Sequence, residues 1–146
     1  MFYDKNERKI VANCFMAKKR RIAAVKSVLS NIRNMIEGLQ KGYRYKMKLV
    51  YSHFPINLAV SDDKTHLEIR NFLGEKLIRY VDMKPGCKVD VTGEKDELKV
   101  EGNDLENVTL SCSAIHDACK VHMFDIRKFL DGIYICGNEH IGLTFF

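Results

Sequence analysis

HLEIRNFLGEKLIRYVDMKPGCKVDVTGEKDELKVE, residues 66–101, alternates apolar and polar side chains in short runs broken by turn sequences. Leu67 and Ile69 alternate with His66, Glu68 and Arg70. Cys87, Val89 and Val91 alternate with Lys88, Asp90 and Thr92. A period of two sends one set of side chains into a core and the other into water, as a half-buried strand requires. Turn signals stand at Leu73-Gly74-Glu75, Lys84-Pro85-Gly86 and residues 93–95. Connections this short join antiparallel neighbours, so the stretch predicts a meander.

Upstream, residues 43–51 are β-rich and basic through Arg44, Lys46 and Lys48, and Pro55 interrupts them before a run at 56–60. Residues 17–40 read as a helix. Ile22, Val25, Val28/Leu29, Ile32, Met35/Ile36 and Leu39 recur every three or four positions in one apolar stripe. Lys18, Lys19, Arg20 and Arg21 gather at its start, where cations oppose the helix dipole unless an anionic partner is present. Gly38 and Gly42 mark its end. Residues 8–15 supply a short strand before it.

Downstream, Asn103 is a candidate N-cap with Glu106 three residues on. Leu105, Val108, Cys112, Ile115, Cys119 and His122 then keep helical spacing. A further element at 125–130 turns at Asp131-Gly132 into a short strand at 133–135, and the tail from Gly137 shows no pattern. The fold class is therefore α+β. A meander packed by one helix fills a domain at 43–136, behind a partial strand-plus-helix domain at 1–42 and ahead of a tail at 137–146. The stripe at 22–39 must bury against something the chain barely supplies.

Composition narrows the function. The chain has 146 residues, 46% hydrophobic and 29% charged, enough for one ordinary domain or two small ones and against global disorder. No apolar run approaches the roughly 20 residues of a membrane helix, and the first residues carry charge where a signal peptide needs apolar side chains. The expectation is a soluble chain kept inside the cell. Five scattered cysteines without a Cys-x-x-Cys pair make a poor disulfide framework, and Asn107-Val108-Thr109 is a sequon without a secretory route. The net charge of +5 is divided: residues 1–50 hold 13 Lys/Arg against 3 Asp/Glu, and the remainder 11 against 16. A basic front on an acidic body suggests a face that meets a polyanion, or simply a solvated basic helix.

The residues bear on three chemistries. No nucleophile elbow, phosphate-binding loop or dinucleotide fingerprint occurs, which argues against an enzyme. Cys112, His116 and Cys119 share a helix face and are ligands zinc prefers. The same positions also continue the stripe of Leu105, Val108 and Ile115, which favours core over metal. Nucleic-acid binding has more support, because residues 42–48 interleave Arg44, Lys46 and Lys48 with Tyr43 and Tyr45. An edge strand kept soluble by its charges reads the same way.

GYRYKM (42–47), YSHFPIN (51–57), EIRNFLGEK (68–76), KDELKVEGND (95–104) and DIRKFLDGIY (125–134) stand in this order. Together they resemble the large-subunit ribosomal protein L-six family of the universal class, the L-nine type of eukaryotes, over residues 24–135. The resemblance implies two similar domains, each a small antiparallel sheet with a helix, the first one incomplete here. It implies binding to large-subunit ribosomal RNA near the sarcin–ricin loop, beside neighbouring ribosomal proteins, in the cytoplasm after nucleolar assembly if the source is eukaryotic. It implies no catalytic role, cofactor, membrane or small-molecule substrate.

Residues 127–134 match the family's C-terminal signature, which makes Arg127, Lys128 and Tyr134 contact candidates and Asp131 a residue that shapes the turn. With them stand Lys18, Lys19, Arg20, Arg21, Arg44, Lys46 and Lys48. Phe124, Asp117 and Asn138 depart from the family pattern, each at the loss of one RNA-contacting side chain. By the resemblance the chain is expected to start partway through the family's first domain, without its opening strands, either because the protein is shortened or because Met1 is internal to a longer reading frame. An adaptor that offers the open face of residues 22–39 to another protein is the alternative reading.

Overall fold

The computed structural model describes residues 2–5 and 7–142. Its strands are β1 (Phe2–Asp4), β2 (Lys9–Val11), β3 (Tyr43–Val50), β4 (Asn57–Val60), β5 (His66–Arg70), β6 (Arg79–Asp82), β7 (Cys87–Val91), β8 (Glu97–Gly102) and β9 (Gly132–His140). The helices are α1 (Lys19–Lys41) and α2 (Leu105–Ala118). The fold is α+β, as the sequence predicts.

The single meander is not what forms. β3 sits inside a four-stranded antiparallel sheet of order β7-β8-β3-β9, while β4-β5-β6 make a separate three-stranded antiparallel sheet and β1-β2 a small hairpin. Short loops do join antiparallel neighbours within 57–82 and within 87–102. β3, however, finds both of its partners far along the chain: Met47 lies opposite Leu98 on β8 and opposite Ile135 on β9. Alternation fixes which side chains are buried but not which strands pair.

Met47, Leu49, Val89, Leu98, Val100 and Ile133 of the larger sheet face Leu67, Ile69 and Val81 of the smaller one, with Phe72 and α2 completing the core. Val108, Cys112 and Ile115 of α2 are buried in it. Asp104, not Asn103, caps α2: its Oδ1 accepts from the Glu106 N–H at 3.1 Å. The helix ends at Ala118, which leaves His122 outside the stripe, and residues 125–128 form turns rather than a further helix or strand. Buried Ser111 ties the Lys84 turn to α2, accepting from the Lys84 N–H at 3.0 Å and donating to the Asn107 carbonyl at 2.8 Å.

β9 does not stop at Ile135. It continues through His140, pairing with β3 back to Tyr43 across a register shift beside Lys46 and Met47 that leaves Cys136 as the extra residue. Gly137 to His140 are therefore strand rather than tail, and residues 143–146 of the expected tail lie outside the described residues. Gly42 ends α1 in a positive-φ conformation, its N–H donating to the Gly38 carbonyl at 2.9 Å. Gly38 lies inside the helix instead of marking its end. A Cβ there would collide with the Asn103 carbonyl oxygen, so glycine is what lets α1 approach the start of α2. Gly38 is the one buried residue of α1, with Val25, Ile32, Asn34 and Glu37 half-buried and the others exposed.

Unfolding should separate the two apolar populations. Met47→Ala in the core is expected to cost about 2–5 kcal/mol in urea denaturation. Leu39→Ala on the open face of α1 should stay within about 0.5 kcal/mol. Equal costs would contradict this division of the core.

Candidate nucleic-acid interface

The strand cations come from simple alternation. Tyr43, Met47 and Leu49 turn inward, so Arg44, Lys46 and Lys48 project from the outer face of the larger sheet. Two of the three meet carboxylates there. Arg44 Nε donates to Glu101 Oε1 at 2.7 Å, across the strand pair in which these residues are directly opposed. Lys46 Nζ donates to Glu139 Oε1 at 2.7 Å. Lys99 lies 3.6 Å from Glu101 and 4.0 Å from Asp90, and Lys64 closes on Asp90 at 2.7 Å. The outer face is thus a ladder of alternating charge.

These pairs set the local titration. The Lys46 hydrogen bond holds the Glu139 carboxyl below its usual range and raises the Lys46 ammonium in return. The Lys64 hydrogen bond lowers Asp90 in the same way. Arg44 is only 28% exposed along its side chain, so a phosphate would have to displace Glu101 from a partly desolvated site. Lys48 is exposed and forms no ion pair among the described residues.

A second group gathers where β9 begins. Register places Tyr134 opposite Lys48. The Tyr134 hydroxyl donates to the Leu130 carbonyl at 3.1 Å, and its ring lies 5.2 Å from that of His116. Asp131 is buried at the turn into the strand. Arg127 sits in the preceding turn with its side chain 88% exposed. Its Nε and Nη2 reach Asp125 at 3.1 and 2.9 Å, which lowers the Asp125 carboxyl. An exposed pair of this kind is worth little and exchanges readily for a phosphate. Lys128 is exposed beside it. Lys48 and Tyr134 therefore share one end of the sheet, and Arg127 and Lys128 stand in the turn that precedes β9.

Lys18, Lys19, Arg20 and Arg21 are brought elsewhere. All four are exposed at the far end of α1, whose 23 residues span about 34 Å. No side chain caps this terminus and its first turn holds no acid. Apolar side chains overlooked in the sequence accompany both ends. Met123, Phe124, Ile126 and Leu130 are exposed around Arg127, with Phe124 stacked on Phe129 at 4.7 Å, and Phe15 and Met16 are exposed before α1. The density of apolar residues at 123–130 was the available signal, hidden because such a run normally marks core.

Cys112 of α2 and Cys119 just past its end behave as core side chains. Cys112 and Cys119 are buried, and burial pushes their thiols up to about 12 and about 11. His116 spends Nδ1 on the Ile133 carbonyl at 2.9 Å. Among the described residues no three His, Cys, Asp or Glu side chains converge as metal ligands.

The class so defined is an α+β protein that displays exposed cations and apolar side chains at the start of a helix and in the turn before its last strand. A family model described as Ribosomal protein L6 matches residues 54–132. The chain is 50% identical over 120 residues to large ribosomal subunit protein uL6A of Schizosaccharomyces pombe, covering 82% of this chain and 63% of that one. It is 46% identical over 122 residues to uL6 of Tetrahymena thermophila, covering 83% and 65%. Identity to uL6 of Aeropyrum pernix is 48% over 132 residues, covering 90% and 70%. The chain belongs to the ribosomal protein L6 family, and it spans just under two thirds of the length of the first two relatives.

The charge ladder carries a pH signature. The depressed Glu139 carboxyl contributes stability in full above the ordinary glutamate value of 4.5 and loses it as pH falls through the lower folded value. In a carboxyl NMR titration Glu139 should titrate below 4.5, and Lys46→Ala should move it upward. An unchanged midpoint would mean the pair does not form.

Proposed function

We propose that the chain is a structural, non-catalytic constituent of the large ribosomal subunit that binds ribosomal RNA close to the factor-binding region and the sarcin–ricin loop. The observation that carries this reading is the family match across more than half of the chain, joined to relatives named as large-subunit proteins. The working location is the cytoplasm, with assembly in the nucleolus if the source is eukaryotic. Its partners there are ribosomal RNA and the neighbouring ribosomal proteins.

The contact set is Lys18, Lys19, Arg20 and Arg21 at one end, with Lys48, Arg127, Lys128 and Tyr134 at the other. Arg44 and Lys46 take a lesser part, because Glu101 and Glu139 already occupy them. Cations that neutralise phosphates release counterions, so affinity falls as salt rises, in proportion to the contacts made. A rigid fold that carries both groups fixes the RNA segments it touches relative to one another, which is recognition by shape rather than by sequence.

Charge reversal tests the assignment. Tagged Arg127→Glu/Lys128→Glu protein, co-expressed with the unaltered chain, should be depleted from purified large subunits by roughly tenfold. Arg44→Gln/Lys46→Gln should be depleted by no more than about twofold, since it removes cations already neutralised within the sheet. Undiminished incorporation of the Glu variant would overturn the C-terminal contact, and equal loss of both would place the main contact on the outer face of the sheet.

A further inference from the structure

Phe124 and Phe129 form an aromatic pair that the core does not use. Their ring centroids lie 4.7 Å apart with 31° between the planes, close to a parallel stack. Phe129 is 39% exposed and Phe124 52%, so Phe129 backs the Phe124 ring on one side and leaves its other side open. Neither ring belongs to the buried cluster. Met123, Ile126 and Leu130 are exposed in the same connection from α2 to β9. Exposed apolar side chains gathered in this way mark an interaction surface.

The connection is held by the core and by its own turns, not by α1. It leaves α2 at Ala118 and enters β9 at Gly132, which register sets opposite Val50, the last residue of β3. α1 meets β3 at the other end of that strand, beside Tyr43. Val121 and Asp131 are buried toward the two ends of the connection. Between them the Lys128 and Phe129 N–H groups donate to the Asp125 carbonyl at 3.1 and 3.0 Å, and the Tyr134 hydroxyl donates to the Leu130 carbonyl at 3.1 Å. The aromatic pair is thus presented by a hydrogen-bonded turn.

Charge selects the occupant. Arg127 and Lys128 are exposed and lie between the two phenylalanines in sequence. Arg127 meets Asp125 in an exposed pair, which exchanges readily. A second copy docked about a two-fold axis would set these cations against their own kind. An apolar protein surface would cover the rings and leave the cations without an anion. A nucleotide satisfies both, since its base offers a π-face to Phe124 and its phosphates meet Arg127 and Lys128. Bases inside a paired helix are stacked on one another, so the face is available only from an unpaired base in a loop or bulge.

We propose that Phe124, backed by Phe129, is the stacking platform for an unpaired base of the large-subunit ribosomal RNA, with Arg127 and Lys128 on the flanking phosphates. The proposal rests on the ribosomal reading above and adds contact with a base to recognition of backbone and shape. Phe124, which the resemblance counts as a lost RNA contact, then makes one of a different kind.

The test uses large subunits purified from cells that co-express the tagged and the unaltered chain. Ultraviolet irradiation joins a base to the ring it stacks on, so peptide mass spectrometry of the tagged chain should find a nucleotide adduct on Phe124 or Phe129. Phe124→Leu keeps an apolar side chain and removes the ring. It should lower incorporation about fivefold or more in competition with the unaltered chain, whereas Phe124→Tyr, which keeps the ring, should stay within about twofold. Tagged subunits without an adduct at either ring overturn the platform and leave the ribosomal reading standing. So does a Leu variant that incorporates as well as the Tyr variant, the result an apolar protein partner would give. Absence of the unmutated tagged chain from large subunits overturns both.

Discussion

The pairing of β3 with both β8 and β9 is the constraint on which the rest of the molecule depends. β3 immediately follows α1, β8 leads into α2 and β9 closes the described chain, so these two ladders join its beginning, middle and end. Their inner faces supply Met47, Leu49, Leu98, Val100 and Ile133, against which α2 and the three-stranded sheet pack. Their outer faces line up Arg44 with Glu101 and bring Lys46 onto Glu139. The same register sets Tyr134 beside Lys48 and so assembles the C-terminal group of exposed cations. Core and surface charge follow from one set of strand pairings.

Two kinds of cation emerge from this arrangement. Arg44, Lys46 and Lys99 on the sheet are held by carboxylates directly or diagonally across the ladder, where cross-strand opposition brings opposite charges into contact, while Lys48 beside them forms no ion pair among the described residues. Those in the turn at 125–128 and at the start of α1 are held weakly or stand without a partner among the described residues. An exposed ion pair is easily exchanged, whereas the half-buried Arg44 pair is committed to the fold. On the reading proposed above, a polyanion meets the exposed cations of the turn at 125–128 and of the start of α1 rather than the paired cations of the sheet.

Local periodicity made a large part of the fold legible. The alternation around Leu67, Val89 and Leu98 foretold three strands, and the stripe from Ile22 to Leu39 foretold α1. Strand pairing was not legible, because it is set by packing between segments far apart and because a bulge at Cys136 shifts the register midway. The same distance hid the charge ladder: Glu101 and Glu139 lie 57 and 93 positions from the cations they neutralise. Gly38 misleads for a different reason. A glycine near a helix end normally signals termination, and its actual role, close approach to Asn103, exists only in three dimensions. At the C-terminal group the motif pointed to Arg127, Lys128 and Tyr134, while the exposure of Met123 and Phe124 follows from a turn that periodicity could not reveal.

Sedimentation of the tagged chain from a cell lysate through a sucrose gradient, repeated at rising salt, tests the ribosomal assignment most directly. The account predicts co-migration with the large subunit that persists at salt concentrations able to strip loosely held basic proteins. Recovery in the light fractions alone, at every salt concentration, would contradict it and leave the family relationship as a statement of fold.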